Sequence, residues 1–111
     1  SLSPLDTETI VGSVRRTGRL LVVDCGWMTC GAGAEIIARV MERLQAERGI
    51  RVQRMGFAPV TCPTTRSLED LFYPNARTIA ARAYKMVHQG GGDWLPSMEE
   101  PLQAVEFKGP F

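Results

Sequence analysis

Hydrophobic and polar positions follow two different periods in the first half of the chain. Leu20 to Val23 is a continuous apolar run, which is typical of a strand buried on both faces of a sheet. From Ala34 onward, apolar residues recur about every 3.6 residues and predict a helix; they are Ile36, Ile37, Val40, Met41 and Leu44. Gly49 is the expected C-cap, and Ile50 to Met55 is predicted as a second strand. The pattern therefore predicts a β-α-β unit with a right-handed crossover in an open α/β sheet.

One helix is predicted before this unit and another after it. The first begins after Pro4 with Asp6 as N-cap, ends at Gly18 and has a buried stripe of Ile10, Val11 and Val14. Asn75 caps the last helix, whose predicted inward face is Ile79, Ala83 and Val87. His88 lies in its last turn, where the helix end stabilises a cation, so we assign it no catalytic role.

The segment between the second strand and the last helix is less regular. Phe57 to Pro63 is predicted as a proline-broken connection that cannot sit in a central strand. Ser67 to Asp70 resembles a capping sequence for a short helix. A short apolar segment follows, Leu71 to Tyr73, which is interpreted either as buried core or as a subunit contact.

The glycine-rich turn from Gly26 to Gly33 also has two interpretations. Backbone N–H groups at a helix N-terminus favour phosphate, yet the turn lacks both the GxGxxG spacing and the lysine of a P-loop. Alternatively, Gly31 and Gly33 let the helix start pack tightly on a neighbouring backbone, while Trp27 fills a subunit or domain contact. The pattern favours packing and leaves phosphate binding open.

Composition narrows the class of protein. The chain has 111 residues, enough for one domain, with 44% hydrophobic and 23% charged residues, as in ordinary soluble globular chains. A net charge of +1 creates no field that attracts nucleic acid, and no apolar run is long enough for a membrane span. We therefore expect neither nucleic acid nor membrane as a partner.

The cysteines predict neither a disulfide framework nor a metal site. Cys25, Cys30 and Cys62 are odd in number and lack CxxC spacing, and the chain has a single histidine. Reduced thiols are typical of the cytoplasm, and a mitochondrial matrix location is equally compatible with the sequence.

Several motifs together resemble one known domain. They are Leu2 to Ile10, Thr17 to Asp24, Gly26-Trp27, Gly31 to Ile36, Pro63, Leu68-Glu69, Tyr73-Pro74 and Ile79-Ala80. In this order they are similar to the C-terminal domain of the β subunit of thiamine-diphosphate-dependent 2-oxo acid dehydrogenases, which include the pyruvate, branched-chain and acetoin enzymes. That domain belongs to the wider transketolase C-terminal family. The resemblance extends from Leu2 to Val87.

The resemblance implies a three-layer α/β/α fold with an open, mainly parallel sheet, over residues 1–89. Residues 90–111 are expected to be an irregular tail, whose large apolar residues suggest an arm on the chain's own surface or a partner's, with a disordered end as the alternative. Only two strands are predicted, whereas the family domain opens with a further strand, helix and strand. We therefore expect an N-terminally incomplete copy, whose open sheet edge favours self-association.

The resemblance also implies a function in assembly. The enzymes carry out oxidative decarboxylation of a 2-oxo acid with acyl transfer to a lipoyl carrier, using thiamine diphosphate and Mg²⁺ in the assembled enzyme. No catalytic, cofactor or metal residue maps to this chain, so the isolated piece is expected to be inactive. Its implied partners are the α subunit, a second β subunit and the lipoyl acyltransferase core. The candidate interface residues are Gly26, Trp27, Gly31, Gly33, Glu35, Phe72 and Tyr73.

Two alternatives remain at this level. One is a stand-alone module that binds a phosphate-bearing ligand at the glycine turn. The other is the C-terminal domain of a transketolase or a deoxyxylulose-phosphate synthase, although the Leu-Ser-Pro-Leu-Asp segment and Gly26-Trp27 favour the dehydrogenase β subunit.

Overall fold

The structure is a computed structural model that describes residues 1–88 and 92–97. Helices and strands alternate along the first half of the chain, and two helices follow. In chain order the elements are α1 (Thr7–Thr17), β1 (Arg19–Trp27), α2 (Ala32–Arg43), β2 (Arg51–Phe57), α3 (Arg66–Phe72) and α4 (Ala76–Val87).

Helix α1 forms as its sequence predicts. The Asp6 carboxylate accepts hydrogen bonds from the backbone N–H of Thr9 at 3.0 Å and from its hydroxyl at 2.7 Å. At the other end, Gly18 has φ +66°, and its N–H donates to the Val14 carbonyl at 2.7 Å. Both helix ends are thus satisfied by local contacts, and both predicted caps are confirmed.

The two strands pair in parallel, as predicted, from Arg19 opposite Arg51 to Val23 opposite Met55. The register is irregular between Val23 and Trp27, after which Trp27 pairs with Phe57. The strands are therefore longer at their carboxyl ends than predicted. Trp27 and Phe57 pair with each other. Trp27 therefore belongs to β1 instead of the glycine turn, and Phe57 belongs to β2 instead of the connection.

Helix α2 differs from its prediction at both ends. It starts at Ala32 and ends at Arg43, with Leu44 as C-cap. The Leu44 N–H donates to Met41 and the Glu47 N–H to the Leu44 carbonyl, so the chain leaves the helix through tight turns. The predicted cap at Gly49 is wrong. The residues between Leu44 and Gly49 are mostly polar and offer no apolar face to bury, so the helix ends before them. Gly49 instead lies in the connection to β2, where its φ is +83°.

The hydrophobic core lies between α1 and α2 at the amino ends of the strands. Val11, Val14, Val40 and Leu44 are buried, and Ile10, Leu20 and Ile50 pack around them. Ion pairs join the helices outside this core, one between Arg43 and Glu8 and one between Arg15 and Glu47. The predicted apolar stripes of the two helices therefore pack against each other and against the sheet.

Helix α4 covers the opposite face of the sheet. Leu20 and Val22 face α2, since Leu20 joins the core and Val22 touches the Gly33 position. Side chains alternate along a strand, so Arg19 points to the other face, where its Nε donates to the Met86 carbonyl at 2.9 Å. The predicted three-layer α/β/α order with a parallel sheet is confirmed.

The inward face of α4 is not the predicted one. Met86 is buried, whereas Ala83 and Val87 are exposed. The guanidinium groups of Arg19 and Arg51 both donate to the Met86 carbonyl, one of the last free carbonyls of the helix. These hydrogen bonds hold the carboxyl end of α4 against the amino ends of the two strands.

The predicted start of α3 is also wrong. The helix begins at Arg66 and its N-cap is Thr65, which makes no side-chain capping bond. Ser67 lies inside the helix. The carbonyl of Thr65 accepts from the N–H groups of Leu68 and Glu69, so backbone bonds alone set the first turn.

The chain after α4 is described in part. Residues 92–97 lie along α4, where Asp93 pairs with Lys85 at 2.7 Å and the Trp94 ring lies 4.8 Å from that of Tyr84. The predicted division at residues 89–90 and the tail from residue 98 lie outside the described residues. The described part of the predicted arm contacts the chain's own surface.

Candidate functional site

Four aromatic side chains meet at the carboxyl ends of the two strands. This aromatic cluster consists of Trp27, Phe57, Phe72 and Tyr73. Trp27 and Phe57 end β1 and β2, and parallel strands present their carboxyl ends at one edge. Phe72 and Tyr73 end α3, which is attached to β2 where the Ala58 N–H donates to the Phe72 carbonyl at 3.0 Å.

The rings of the aromatic cluster are arranged around Phe57. The Phe57 and Phe72 rings stack with centroids 4.8 Å apart. Trp27 meets Phe57 edge-on at 5.7 Å, and Tyr73 does so at 5.2 Å. Stacked and edge-on pairs at these distances each contribute about 0.5–1.5 kcal/mol beyond their buried area. Ring contacts thus hold the cluster together, and its outer members, Trp27 and Tyr73, pack against Phe57.

The outer members of the cluster stay in contact with solvent. Phe72 is buried, but Trp27 keeps 51% of its surface exposed and Tyr73 keeps 39%. Neighbouring aromatic side chains that are held rigidly and left exposed are typical of contact surfaces, because they offer large area at little entropic cost. The arrangement is suited to binding another protein surface.

Glycines bring the turn before α2 against the end of β1. A Cβ at Gly31 would lie 2.0 Å from the Trp27 carbonyl oxygen, and one at Gly56 would lie 2.6 Å from the Gly26 carbonyl oxygen. Arg54 holds the same turn from β2 by donating to the Met28 carbonyl at 2.8 Å. Close backbone packing therefore explains the glycines of this turn and positions Trp27.

The cavity beside the glycine turn is small. It measures about 10 Å³ and is lined by Val22, Asp24, Gly26, Trp27, Met28, Gly33, Ala34, Arg54, Met55 and Gly56. A single water molecule needs about that much space. Of the two interpretations of the turn, the structure supports packing.

Glu35 is separate from the aromatic cluster. It lies in the first turn of α2 on the exposed side and pairs with Arg39 one turn later at 2.6 Å. Of the other candidate residues, Trp27, Phe72 and Tyr73 come together in the cluster, and Gly31 lies directly behind Trp27, a proximity that the sequence analysis did not predict. An interface role for any of them stays a prediction.

Tyr73 also contacts a cysteine thiol. Its hydroxyl lies 3.4 Å from the Cys62 sulfur. The hydrogen bond between the Tyr73 hydroxyl and the Cys62 sulfur, followed by the negative charge of a deprotonated Cys62, raises the pKa of Tyr73 above its ordinary value. The contact ties the connection after β2 to the cluster. Cys25, Cys30 and Cys62 are free and exposed.

Sequence reasoning missed the centre of the cluster. Phe57 contacts the other three rings of the cluster. Its segment was predicted to be a connection because prolines follow at positions 59 and 63. The signal that could have found it is the pattern of β2 itself, in which Val52 and Met55 are followed by a further large apolar residue.

Within residues 1–88 and 92–97, no three His, Cys, Asp or Glu side chains are grouped so that they could hold a metal ion. None of the helices in the described part of the chain is both long and apolar enough to cross a membrane.

Comparison with known proteins identifies the domain. The family described as the transketolase C-terminal domain matches residues 1–79. This chain belongs to the transketolase C-terminal domain family. The match covers α1 to the first turn of α4, and so it includes the glycine turn and all four residues of the aromatic cluster. The predicted resemblance is confirmed.

The curated relatives of this transketolase C-terminal domain are β subunits. The chain is 40% identical over 87 residues to the pyruvate dehydrogenase E1 component subunit beta, mitochondrial, of Chaetomium thermophilum, a match to 78% of this chain and 23% of the relative. The corresponding protein of Saccharomyces cerevisiae is 39% identical over 80 residues, with 71% and 22% covered.

A third relative has a different substrate in its name. The acetoin:2,6-dichlorophenolindophenol oxidoreductase subunit beta of Cupriavidus necator is 39% identical over 92 residues, with 81% of this chain and 27% of the relative covered. The chain therefore spans about a quarter of the length of these relatives. No solved structure matches the chain.

Proposed function

We propose that this chain is the C-terminal assembly domain of the β subunit of a thiamine-diphosphate-dependent 2-oxo acid dehydrogenase. The observation that carries the proposal is the rigid, half-exposed Trp27, which a glycine turn and two aromatic rings hold at the carboxyl end of the sheet. Relatives named as β subunits of pyruvate dehydrogenase and of an acetoin oxidoreductase support this assignment over transketolase or deoxyxylulose-phosphate synthase.

The assembled enzyme would decarboxylate a 2-oxo acid oxidatively and pass the acyl group to a lipoyl carrier. Thiamine diphosphate with Mg²⁺ supplies that chemistry when bound. This chain contributes contacts, with the α subunit, a second β subunit and the lipoyl acyltransferase core as its proposed partners. Its proposed location is the cytoplasm of a bacterium or the mitochondrial matrix.

The proposed contact surface is centred on Trp27, with Phe72 and Tyr73 beside it. Gly31 acts by positioning Trp27, because a larger residue would meet the Trp27 carbonyl, whereas Gly26 and Gly33 make room for the Asp24 and Val22 side chains of β1. Glu35 lies apart from the aromatic cluster, on the exposed side of α2, and is proposed as a separate charged contact. An aromatic anchor surrounded by polar rim residues is the usual composition of an energetic centre in a protein interface.

A pair of tryptophan substitutions tests the proposal. Trp27→Ala is introduced into the gene of the source organism, and Trp94→Ala serves as the matched control because it is exposed to a similar degree, 47%, outside the cluster. Native gel electrophoresis and 2-oxo acid dehydrogenase activity of the lysate are then measured. Trp27→Ala should weaken the complex at least about tenfold, as expected for an aromatic anchor, and activity should fall with it.

The control separates assembly from folding. Trp94→Ala should leave both complex and activity intact. Equal losses in the two variants, or an intact complex with Trp27→Ala, would refute the proposed contact surface. The isolated chain, supplied with thiamine diphosphate, Mg²⁺ and pyruvate, should show no turnover.

A further inference from the structure

Two arginines at the amino ends of the strands are partly shielded from solvent. Arg19 and Arg51 are half-buried, whereas every other arginine of the described residues is exposed. The exposed Arg15, Arg39 and Arg43 have carboxylate partners, but neither half-buried arginine forms an ion pair within the part of the chain that the structure describes. Water solvates an exposed guanidinium, whereas a half-buried one loses part of that solvation and favours a negatively charged partner.

The two guanidinium groups meet at one oxygen atom. Arg19 and Arg51 are paired positions of β1 and β2, and both side chains lie on the face of the sheet that α4 covers. Arg19 Nε donates to the Met86 carbonyl at 2.9 Å, and Arg51 Nη1 donates to the same oxygen at 3.4 Å. Two like charges this close repel each other, and a carbonyl at a helix end offers only a partial negative charge in return. The pair therefore keeps a net positive charge.

Acidic side chains of the neighbouring segments are engaged with other cations. Asp93 pairs with Lys85 in the last turn of α4, and Glu47, in the connection before β2, pairs with Arg15. Arg48 lies in the same connection, is exposed and adds a further positive charge. The chain as a whole has a net charge of only +1, so its positive charge is concentrated near the amino ends of the strands.

Each guanidinium group has donors left for a further acceptor. The contacts within the described residues use Nε and Nη1 of Arg19, the latter toward the Thr17 carbonyl at 3.1 Å, and Nη1 of Arg51. The Nη2 groups of both arginines donate to no acceptor in that part of the chain. A carboxylate has two oxygens that accept several hydrogen bonds, so one carboxylate can bind both arginines at once.

The surroundings of the pair favour a carboxylate that belongs to another protein. Val87 and His88, which follow Met86, are exposed, so the end of α4 beside the pair is open to solvent. A free anion would stay in contact with water there and would gain little from ion pairs that water screens. A partner surface that covers Val87 would exclude water and strengthen the same ion pairs.

We propose that Arg19 and Arg51 together bind an acidic side chain, aspartate or glutamate, of a partner protein. Its carboxylate accepts hydrogen bonds from both guanidinium groups, which remain attached to the end of α4 through the Met86 carbonyl. The proposal stands apart from the proposed function, because the pair lies at the amino ends of the strands and the aromatic cluster lies at their carboxyl ends.

Binding of an acidic peptide to the full chain tests the proposal. The probe is a fluorescein-labelled peptide that alternates glutamate and glycine, and the same peptide with glutamine is the neutral control. Fluorescence anisotropy at low ionic strength, where ion pairs are least screened, gives the dissociation constants. Arg51→Gln removes one charge of the pair and should raise the dissociation constant of the acidic peptide at least about tenfold, as expected for a lost charge pair.

Arg66→Gln is the matched control, because it removes the same charge from an exposed arginine of α3. It should leave the dissociation constant essentially unchanged, and circular dichroism checks that both variants fold. A measurement on the unsubstituted chain needs no variant: in NMR spectra the acidic peptide should shift the Nε–H signals of Arg19 and Arg51 more than those of other arginines.

Equal losses of affinity in the two variants, no binding of the acidic peptide, or NMR shifts confined to other arginines would each overturn the proposal. Inorganic phosphate and an oligothymidylate are titrated in the same way. If either shifts the signals of the arginine pair at lower concentration than the acidic peptide does, the ligand is a phosphate and the assignment to a protein carboxylate is wrong.

Discussion

The two ends of the β1–β2 pair are packed in opposite ways. At the amino ends, α1 and α2 enclose small aliphatic side chains, and Val11, Val14, Val40 and Leu44 lose essentially all contact with solvent. At the carboxyl ends, large aromatic rings pack against one another, yet Trp27 and Tyr73 remain partly exposed. One end is closed within the domain, and the other presents a surface.

The amino end therefore stabilises the domain, whereas the carboxyl end is the surface that we propose for assembly. The aliphatic core excludes water completely and has no side chain available to a partner. The aromatic cluster holds its shape through ring contacts and close backbone packing at Gly31 and Gly56, while much of its apolar area remains available for burial in a complex. Substitutions at the two ends should therefore affect different measurements.

The largest effect is expected in the aliphatic core. Leu44→Ala removes a fully buried side chain and should lower the free energy of unfolding by about 3 kcal/mol, through lost burial and the cavity left behind. The same substitution at the exposed Leu2 should change it by less than about 0.5 kcal/mol. Urea denaturation measures both, and equal losses would contradict the contrast between the two ends.

A smaller effect is expected at the glycine turn. Gly31→Ala places a Cβ against the Trp27 carbonyl and should cost about 2 kcal/mol, because the turn must move away from the strand end. Gly12→Ala in α1 is the matched control, since a Cβ there meets nothing within 4 Å. It should stabilise the chain by about 0.5–1 kcal/mol through helix propensity. A neutral Gly31→Ala would refute close packing as the reason for this glycine.

The smallest effect concerns the pKa of Tyr73. Because contact with Cys62 raises this pKa, the contact favours the neutral phenol. Its contribution to stability is present below the ordinary pKa of tyrosine and is lost as the pH rises through the raised value. Cys62→Ala should therefore lower the titration midpoint of Tyr73 toward about 10.

Absorbance at 295 nm follows this titration in a Tyr84→Phe background, which leaves Tyr73 as the chain's one tyrosine. Cys30→Ala removes another exposed thiol and should leave the midpoint unchanged. An unchanged midpoint in Cys62→Ala would show that the thiol does not act on the cluster.

The sequence by itself determined the local elements and the family. Asp6 bonds to Thr9 three residues later, and Gly18 bonds to Val14 four residues earlier, so the signals of α1 are contained in α1. The apolar run before the glycine turn likewise predicts β1 without reference to any other segment. Interactions of this range can be read from spacing alone.

Only the tertiary structure decided where the strands end and which residues form the aromatic cluster. Trp27 extends β1 because it pairs with Phe57, and Phe57 is central because α3 returns Phe72 to it. In the same way, Arg19 and Arg51 hold the carboxyl end of α4 through the Met86 carbonyl, and Met86 is the buried residue of this helix. These outcomes depend on contacts between residues far apart in the chain, and no local period encodes such contacts.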